Sequence, residues 1–449
     1  MCQLKGTKTN KSVISGRKNM KSLLNSALGL TLGVAAASTA FADGHAKELT
    51  IAIVNNGHMI NMQKVAEAYT EETGVALNWV SLEEGVLREQ VTSDTATGGG
   101  QYDVINIGMQ EAPIWGAAGW IEPLEFSAEY DVDDILPAMR EGLSHNGTLY
   151  AAPFYGESSM VMYRKDLADA AGVTIADNDS WDNITAAAAA MHDPDNGVYG
   201  ACLRGKPGWG DNAAFITTIA NSFGAAWFDA DYTPQLDSPE WNAAVTMYVN
   251  LLSNYGPPGS EGNSFNEILA LYNEDKCGLW IDATIAASFL ENENVAYAQS
   301  PNAGNPVGAN WLWAWAMAVP AGTETADEAK AFIEWATSKA YVQAVGNHPD
   351  FGWSKVPTGQ RASTYAIPEF QAVAKFAEAE MAAIDSAAPG ATDLKPYVGV
   401  QFVAIPEFPE IGSAFGQEMA AALSGAKSVE DALAAAQSAA VAIMDEAGY

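Results

Sequence analysis

The sequence runs to 449 residues, with 55 Asp and Glu against 22 Lys and Arg, a formal net charge of −33, and 48% hydrophobic residues. An acidic balance of this size argues against DNA, RNA or anionic lipid as a partner. The length beyond the leader exceeds one ordinary hydrophobic core and predicts two domains.

The chain opens with a polar, basic stretch through Asn19. Met20, Lys21 and the apolar run Leu23–Ala37 then read as an export signal whose true start is Met20, with Ala40, Phe41 and Ala42 as its cleavage site. That run is too short to span a membrane, and no later segment approaches roughly 18 unbroken apolar residues. A soluble mature chain, exported to the periplasm and starting near Asp43, is expected. All basic residues of the leader 1–42 leave with it and no acid does, so the mature chain is more acidic still. Cys2 precedes the signal, which leaves Cys202 and Cys277 in an oxidising compartment. A disulfide is the simplest reading, and two separately buried thiols are the alternative.

Leu49–Val54 is a short β-branched run and reads as a strand, followed by a helix in which Met62, Val65, Ala66 and Tyr69 recur at helical spacing. Between them lie Asn55, Asn56, Gly57 and His58. The carboxyl end of a parallel strand faces the crevice of an open α/β sheet, which makes Asn55, Asn56 and His58 ligand candidates; a plain turn is the alternative. Val75–Val80 and Tyr102–Ile107 read as further buried strands, with Gly98, Gly99 and Gly100 as the loop before the second. Glu111, just past that strand, joins the candidates. Strands alternating with helices imply a largely parallel sheet covered on both faces.

The alternation breaks at Leu149–Phe154, an extended run containing Pro153, and again at Trp313–Pro320, which suits a pair of hinge strands. Past the first, Glu157 stands among Gly156, Ser158 and Ser159, small residues that let a ligand approach closely. The Ala186–Ala190 run reads as plain helix. From Arg204 to Gly210 a donor fork and Trp209 share a glycine-punctuated loop, and the missing Gly-Lys-Ser/Thr ending excludes a P-loop. Trp280–Thr284 reads as a strand end from which Asp282 and Thr284 emerge. Glu157, Arg204 and Asp282 together suit charge-assisted bonds to hydroxyls.

Trp311, Trp313 and Trp315 alternate and so share one face of a strand. One or two of them, Trp313 first, are expected in a cleft and the rest in the core. Trp353, beside Gly352, extends the aromatic set. A carbohydrate or polyol alternates hydroxyls with C–H faces, and this mixture of carboxylates, amides and indoles fits one. Ala326–Val345 reads as helix, with Ala329, Phe332, Ile333 and Ala336 on one face. Ser428–Ala447 closes the chain as a helix capped at Ser428, with Asp431 in its first turn.

Glu157 and Asp282 also fit the acid and the base or nucleophile of an exported glycoside hydrolase, carboxylates set roughly 5 to 9 Å apart. There is no Gly-x-Ser-x-Gly elbow and no His-Glu-x-x-His, which removes serine hydrolases and zinc proteases. His58, His192 and His348 are too scattered for a metal site, and no cofactor is expected.

Several long phrases carry a resemblance: Tyr150–Met160, Cys202–Gly210, Lys276–Thr284, Trp311–Trp315 and Pro396–Phe408. They resemble the periplasmic solute-binding proteins of ABC importers, in the sugar-binding cluster that includes the maltose-binding type, and within it the sorbitol/mannitol branch. The resemblance implies two α/β lobes with parallel-rich sheets joined by hinge strands, a ligand cleft between them, and closure around a sugar or polyol. It also implies delivery of that ligand to a membrane permease by a monomeric receptor. It places the lobes at 43–153 plus about 315–350 and at about 154–314 plus 351–449. Glu157 matches the place of a sugar-contacting glutamate, Trp209 falls near a stacking aromatic, and Asp282 and Thr284 fall in a second ligand loop. The polyol branch usually has Asn-Asn-Gly-Asp after the first strand, and His58 stands here in the aspartate's place. A receptor coupled to chemotaxis instead of uptake shares these features.

Overall fold

The computed structural model describes residues 47–304, 310–387 and 400–449; the leader and the first part of the Pro396–Phe408 phrase lie outside them. The β-branched opening forms strand β1 (Glu48–Val54), which pairs in parallel with β2 (Ala76–Leu82) and β3 (Val104–Ile107). The helix expected after β1 is two helices, Gly57–Val65 and Glu67–Thr73, broken at Ala66. Gly98, with φ of 64°, ends the helix Glu84–Thr97 in the left-handed conformation that the glycine run allows.

The run expected at 149–154 divides. Leu149 closes a small ribbon, β4 (Ser144–His145) with β5 (Thr148–Leu149), and a separate strand β6 covers Ala152–Glu157. Next come β7 (Ser159–Arg164), β8 (Tyr199–Cys202), β9 (Cys277–Ala283), β10 (Val295–Gln299) and β11 (Trp313–Ala318). Two main sheets result, in the orders β2-β1-β3-β11-β6 and β10-β7-β9-β8. Both are mixed, not largely parallel. β11 returns from the second sheet and so enters the first antiparallel to β3 and β6, while β7 runs antiparallel to β9 and β10. Phe154 is the extra residue of a bulge opposite Trp315 and Ala316. It follows Pro153, which has no N–H to give the ladder.

β6 stays in the first sheet through Glu157, so the chain crosses at Ser158, later than the expected boundary at 153. Likewise β11 lies wholly in the first sheet. The two crossings are tied together: Ser158 and Thr284 exchange backbone contact through Thr284 N–H to the Ser158 carbonyl (2.7 Å), and the Ser158 hydroxyl donates to the Trp311 carbonyl (2.7 Å). A third segment joins them, because the Gly156 N–H donates to the Thr358 carbonyl (2.8 Å). Gly359, at φ of 74°, lies so near Gly156 that a Cβ there would come within 1.9 Å of the Gly156 carbonyl oxygen. The expected assignment of everything past 351 to the second lobe therefore changes. Arg361 Nε donates to the Thr337 carbonyl (2.9 Å) and Nη1 to Asp134 (3.2 Å), both of the first lobe. The chain reaches the second sheet again at helix Ala377–Ser386, where the Gln299 amide donates to the Ala379 carbonyl (2.8 Å).

The second lobe buries Trp227, Trp241 and Trp280 completely. Trp227 and Trp241 meet Phe415 of helix Phe408–Leu423 edge to face at 5.0 and 5.1 Å, so the default core reading holds for these indoles. Helix Ala326–Ala336 ends at Thr337, and Ser338 caps a new helix, Lys339–Gly346, by accepting from the Tyr341 N–H (3.1 Å). Cys202 and Cys277 form a disulfide with Cα atoms 5.8 Å apart, linking neighbouring parallel strands β8 and β9.

Candidate functional site

Between the two sheets lies a cavity of about 900 Å³, its open mouth included. Its first wall is the carboxyl end of β1. Asn56 acts in two directions there: its side-chain oxygen caps helix Gly57–Val65 at the Met59 N–H (3.1 Å), and its amide donates to the Tyr155 hydroxyl (2.8 Å). Asn56 thus makes the turn that the sequence suggests and also lines the cavity. His58 is buried, with its ring 4.7 Å from Phe289 and 5.4 Å from Tyr155. Burial first, and the Lys355 charge second, lower its pKa to about 3, so the imidazole is neutral at physiological pH. Among the described residues its Nε2 has no hydrogen-bond partner.

Glu157, the last residue of β6, is 6% exposed and lines the cavity. Burial raises its pKa well above the usual carboxylate range, with Arg204 opposing and Asp282 adding to the rise. Among the described residues its carboxylate has no hydrogen-bond donor, which leaves its acceptor sites to whatever enters. Arg204 follows β8. Its burial works against the charge, and Asp282 outweighs this and raises the pKa of the guanidinium. Nε and Nη2 donate to Asp282 (2.9 and 2.7 Å) and Nη1 to the Gly210 carbonyl (2.8 Å). Asp282 also accepts from Trp280 Nε1 (3.0 Å) and the Ala283 N–H (2.7 Å), so its lone pairs are taken.

Contacts cross the mouth between the lobes. Lys206 pairs with Glu83, and the Asn266 amide donates to the Asn55 carbonyl (3.1 Å). Gly57 lies under Phe289, where a Cβ would come within 2.3 Å of the ring. The described conformation is thus a closed one.

Asn55, Asn56, His58, Glu157, Arg204, Trp209 and Trp313 all line this one cavity, and Trp311 and Trp315 line it too, more indoles than expected. Four candidates fall outside the lining. Asp282 sits behind Arg204 and orients it. Thr284 is fully buried against Ser158 at the crossing. Glu111 accepts from Arg88 and from the Gly108 N–H (3.0 Å) and so supports the wall from behind. Trp353 packs over Gly346 in the first lobe. The cavity also takes in Glu84, Arg88, Phe265 and Phe289. Glu84 and Arg88 stand at i and i+4 on a helix, a spacing that in sequence reads as a solvated ion pair; only the facing indoles distinguish it.

The profile of bacterial extracellular solute-binding proteins matches residues 56–343. The chain belongs to that family. This solute-binding protein is 46% identical over 415 residues to the mannitol-binding protein of Pseudomonas aeruginosa, covering 90% of this chain and 94% of that one. It is 50% identical to an ABC transporter solute-binding protein of Agrobacterium vitis S4 solved with bound D-mannitol, with a TM-score of 0.87 over 90% of this chain and all of the other. A solute-binding protein of Agrobacterium radiobacter K84 in complex with ribitol shares the fold at a TM-score of 0.78 and 24% identity, over 88% and 98% of the two chains.

Proposed function

We propose that this chain is the exported receptor of an ABC importer for an open-chain polyol of the mannitol type, which it captures by closing two lobes and delivers to a membrane permease. The observation that carries the reading is Glu157: a buried carboxyl without a protein donor among the described residues, in a cavity walled by both lobes, in a chain half identical to one solved around D-mannitol. A ligand that touches both walls binds the closed form better than the open one, and that differential affinity drives closure. The permease then reads the closed outline. The leader supports a periplasmic location, and the receptor acts as a monomer in this scheme. Hydrolysis of a glycoside by the pair Glu157 and Asp282 is disfavoured because Asp282 is occupied by Arg204 and is not among the residues lining the cavity.

Calorimetric titration of the chain from Asp43 with D-mannitol, D-sorbitol, D-arabitol and maltose tests this. Binding of a polyol, with the ligand recovered unchanged, is expected. Failure to bind any polyol, or release of product from an oligosaccharide, contradicts it.

A further inference from the structure

Two guanidinium groups enter the cavity, and both lie on aromatic rings. Arg88, from helix Glu84–Thr97, stands over Trp209 at 4.0 Å, Trp315 at 4.7 Å and Trp313 at 4.9 Å. Arg204 stands over Trp311 at 5.5 Å and Phe265 at 5.7 Å. Trp313 in turn meets Trp209 and Trp315 edge to face at 5.6 and 5.8 Å. The indoles that would serve a ligand as stacking plates therefore already carry the protein's own cations.

Arg88 is held in that position from behind. Its Nε and Nη2 donate to Glu84 (3.1 and 3.0 Å), and its Nη1 donates to Glu111, which the Gly108 N–H also fixes. A guanidinium has five N–H groups, so one on each terminal nitrogen is left over. The side chain is 11% exposed, and it lines the cavity. Desolvated contact with the indole faces adds cation–π attraction to these hydrogen bonds in holding the guanidinium on the rings.

Ring sugars and open-chain polyols ask different things of such a wall. A pyranose presents a flat C–H face that gains from a bare indole, whereas an open-chain polyol carries a hydroxyl on every carbon and gains from forked donors and a carboxylate. We propose that Arg88 makes this cleft selective for open-chain polyols over ring sugars, by covering Trp209, Trp313 and Trp315 and setting N–H donors where a stacking surface would be. Glu84 and Glu111 are then positioning residues that act through Arg88. This inference rests on the polyol reading above and adds the source of its selectivity.

The test is titration of D-mannitol and of D-mannose, which is mainly a ring, into the wild-type mature chain and its Arg88→Met and Arg88→Lys variants. The wild type is expected to favour mannitol by about 100-fold or more, and Arg88→Met to narrow that ratio by at least about tenfold. Mannitol weakens as donors go, and mannose strengthens as the indoles are bared. A gain for mannose is a readout that a merely structural role would not give. Arg88→Lys keeps the charge without the fork and should fall between. An unchanged ratio in a Met variant of normal melting temperature overturns the inference, and if that variant does not fold, an unchanged ratio in Arg88→Lys does so. A wild type that binds no polyol defeats the functional reading itself, whereas one that binds mannitol with selectivity unaltered by either variant defeats this inference alone.

Discussion

Glu157 and His58 differ in what their burial does. Glu157 stands ready to hydrogen-bond a ligand, and because burial favours its uncharged form, Glu157→Ala should weaken mannitol binding by about 0.5–1.5 kcal/mol, the range for an uncharged hydrogen bond; affinity equal to wild type would show that the carboxyl is not a ligand contact. His58 acts on stability. Its folded pKa of about 3 lies below the unfolded value of 6.5. The unfolded chain therefore binds the extra proton first as pH falls, so the stability attached to the neutral imidazole is full above about pH 6.5 and is lost progressively toward pH 3. At roughly 1.4 kcal/mol per pH unit the loss reaches a few kcal/mol. Urea unfolding at pH 7.5 and 4.5 should show a smaller pH-induced loss in His58→Asn than in wild type, and equal losses would contradict the assignment. At this scale the sequence singled out cavity-lining residues where a side chain stands out in its local context, as at Glu157 or Trp313. It failed where the local text was ordinary: nothing in Glu84 or Arg88 marks them until the facing indoles are placed beside them.

Secondary structure was most legible where a local stop signal accompanies the pattern. Ser428 precedes a periodic apolar face, and its hydroxyl caps helix Val429–Ala447 at the Asp431 N–H (3.0 Å). Ser428→Ala should lower stability by about 1 kcal/mol while leaving polyol affinity alone, as chemical denaturation and titration would show together; a loss of affinity would mean that this helix bears on the cleft. β1 and β3 were legible for a similar reason, as short runs of buried branched residues. The run at 149–154 misled because a proline in an extended segment gives no register, and the bulge at Phe154 depends on the partner strand β11, more than 150 residues away. The break at Thr337–Ser338 carried a usable signal, since Ser338 is a good cap, but the apolar periodicity continues through it. Strand direction was not legible either. The antiparallel entry of β11 follows from where the chain returns, which no local window contains.

Across the whole molecule, the two-lobed architecture was read from the long phrases and from the two breaks in alternation, while the third crossing near 359 left no trace in periodicity. The closed arrangement makes a further claim testable. Gly57 and Phe289 belong to opposite walls, and a Cβ at residue 57 meets the ring only when the walls are together. Gly57→Ala should therefore reduce mannitol affinity by about tenfold or more, since the ligand must now close the lobes against a clash with the Phe289 ring, while the unliganded protein melts near the wild-type temperature. Equal affinity would mean that Phe289 moves aside at no cost.

The most direct test of capture by closure is small-angle X-ray scattering of the mature chain with and without saturating D-mannitol. A smaller radius of gyration is expected on adding mannitol, with a scattering curve that then matches the closed form, and no change on adding maltose. A radius that stays the same when calorimetry shows mannitol bound would contradict it.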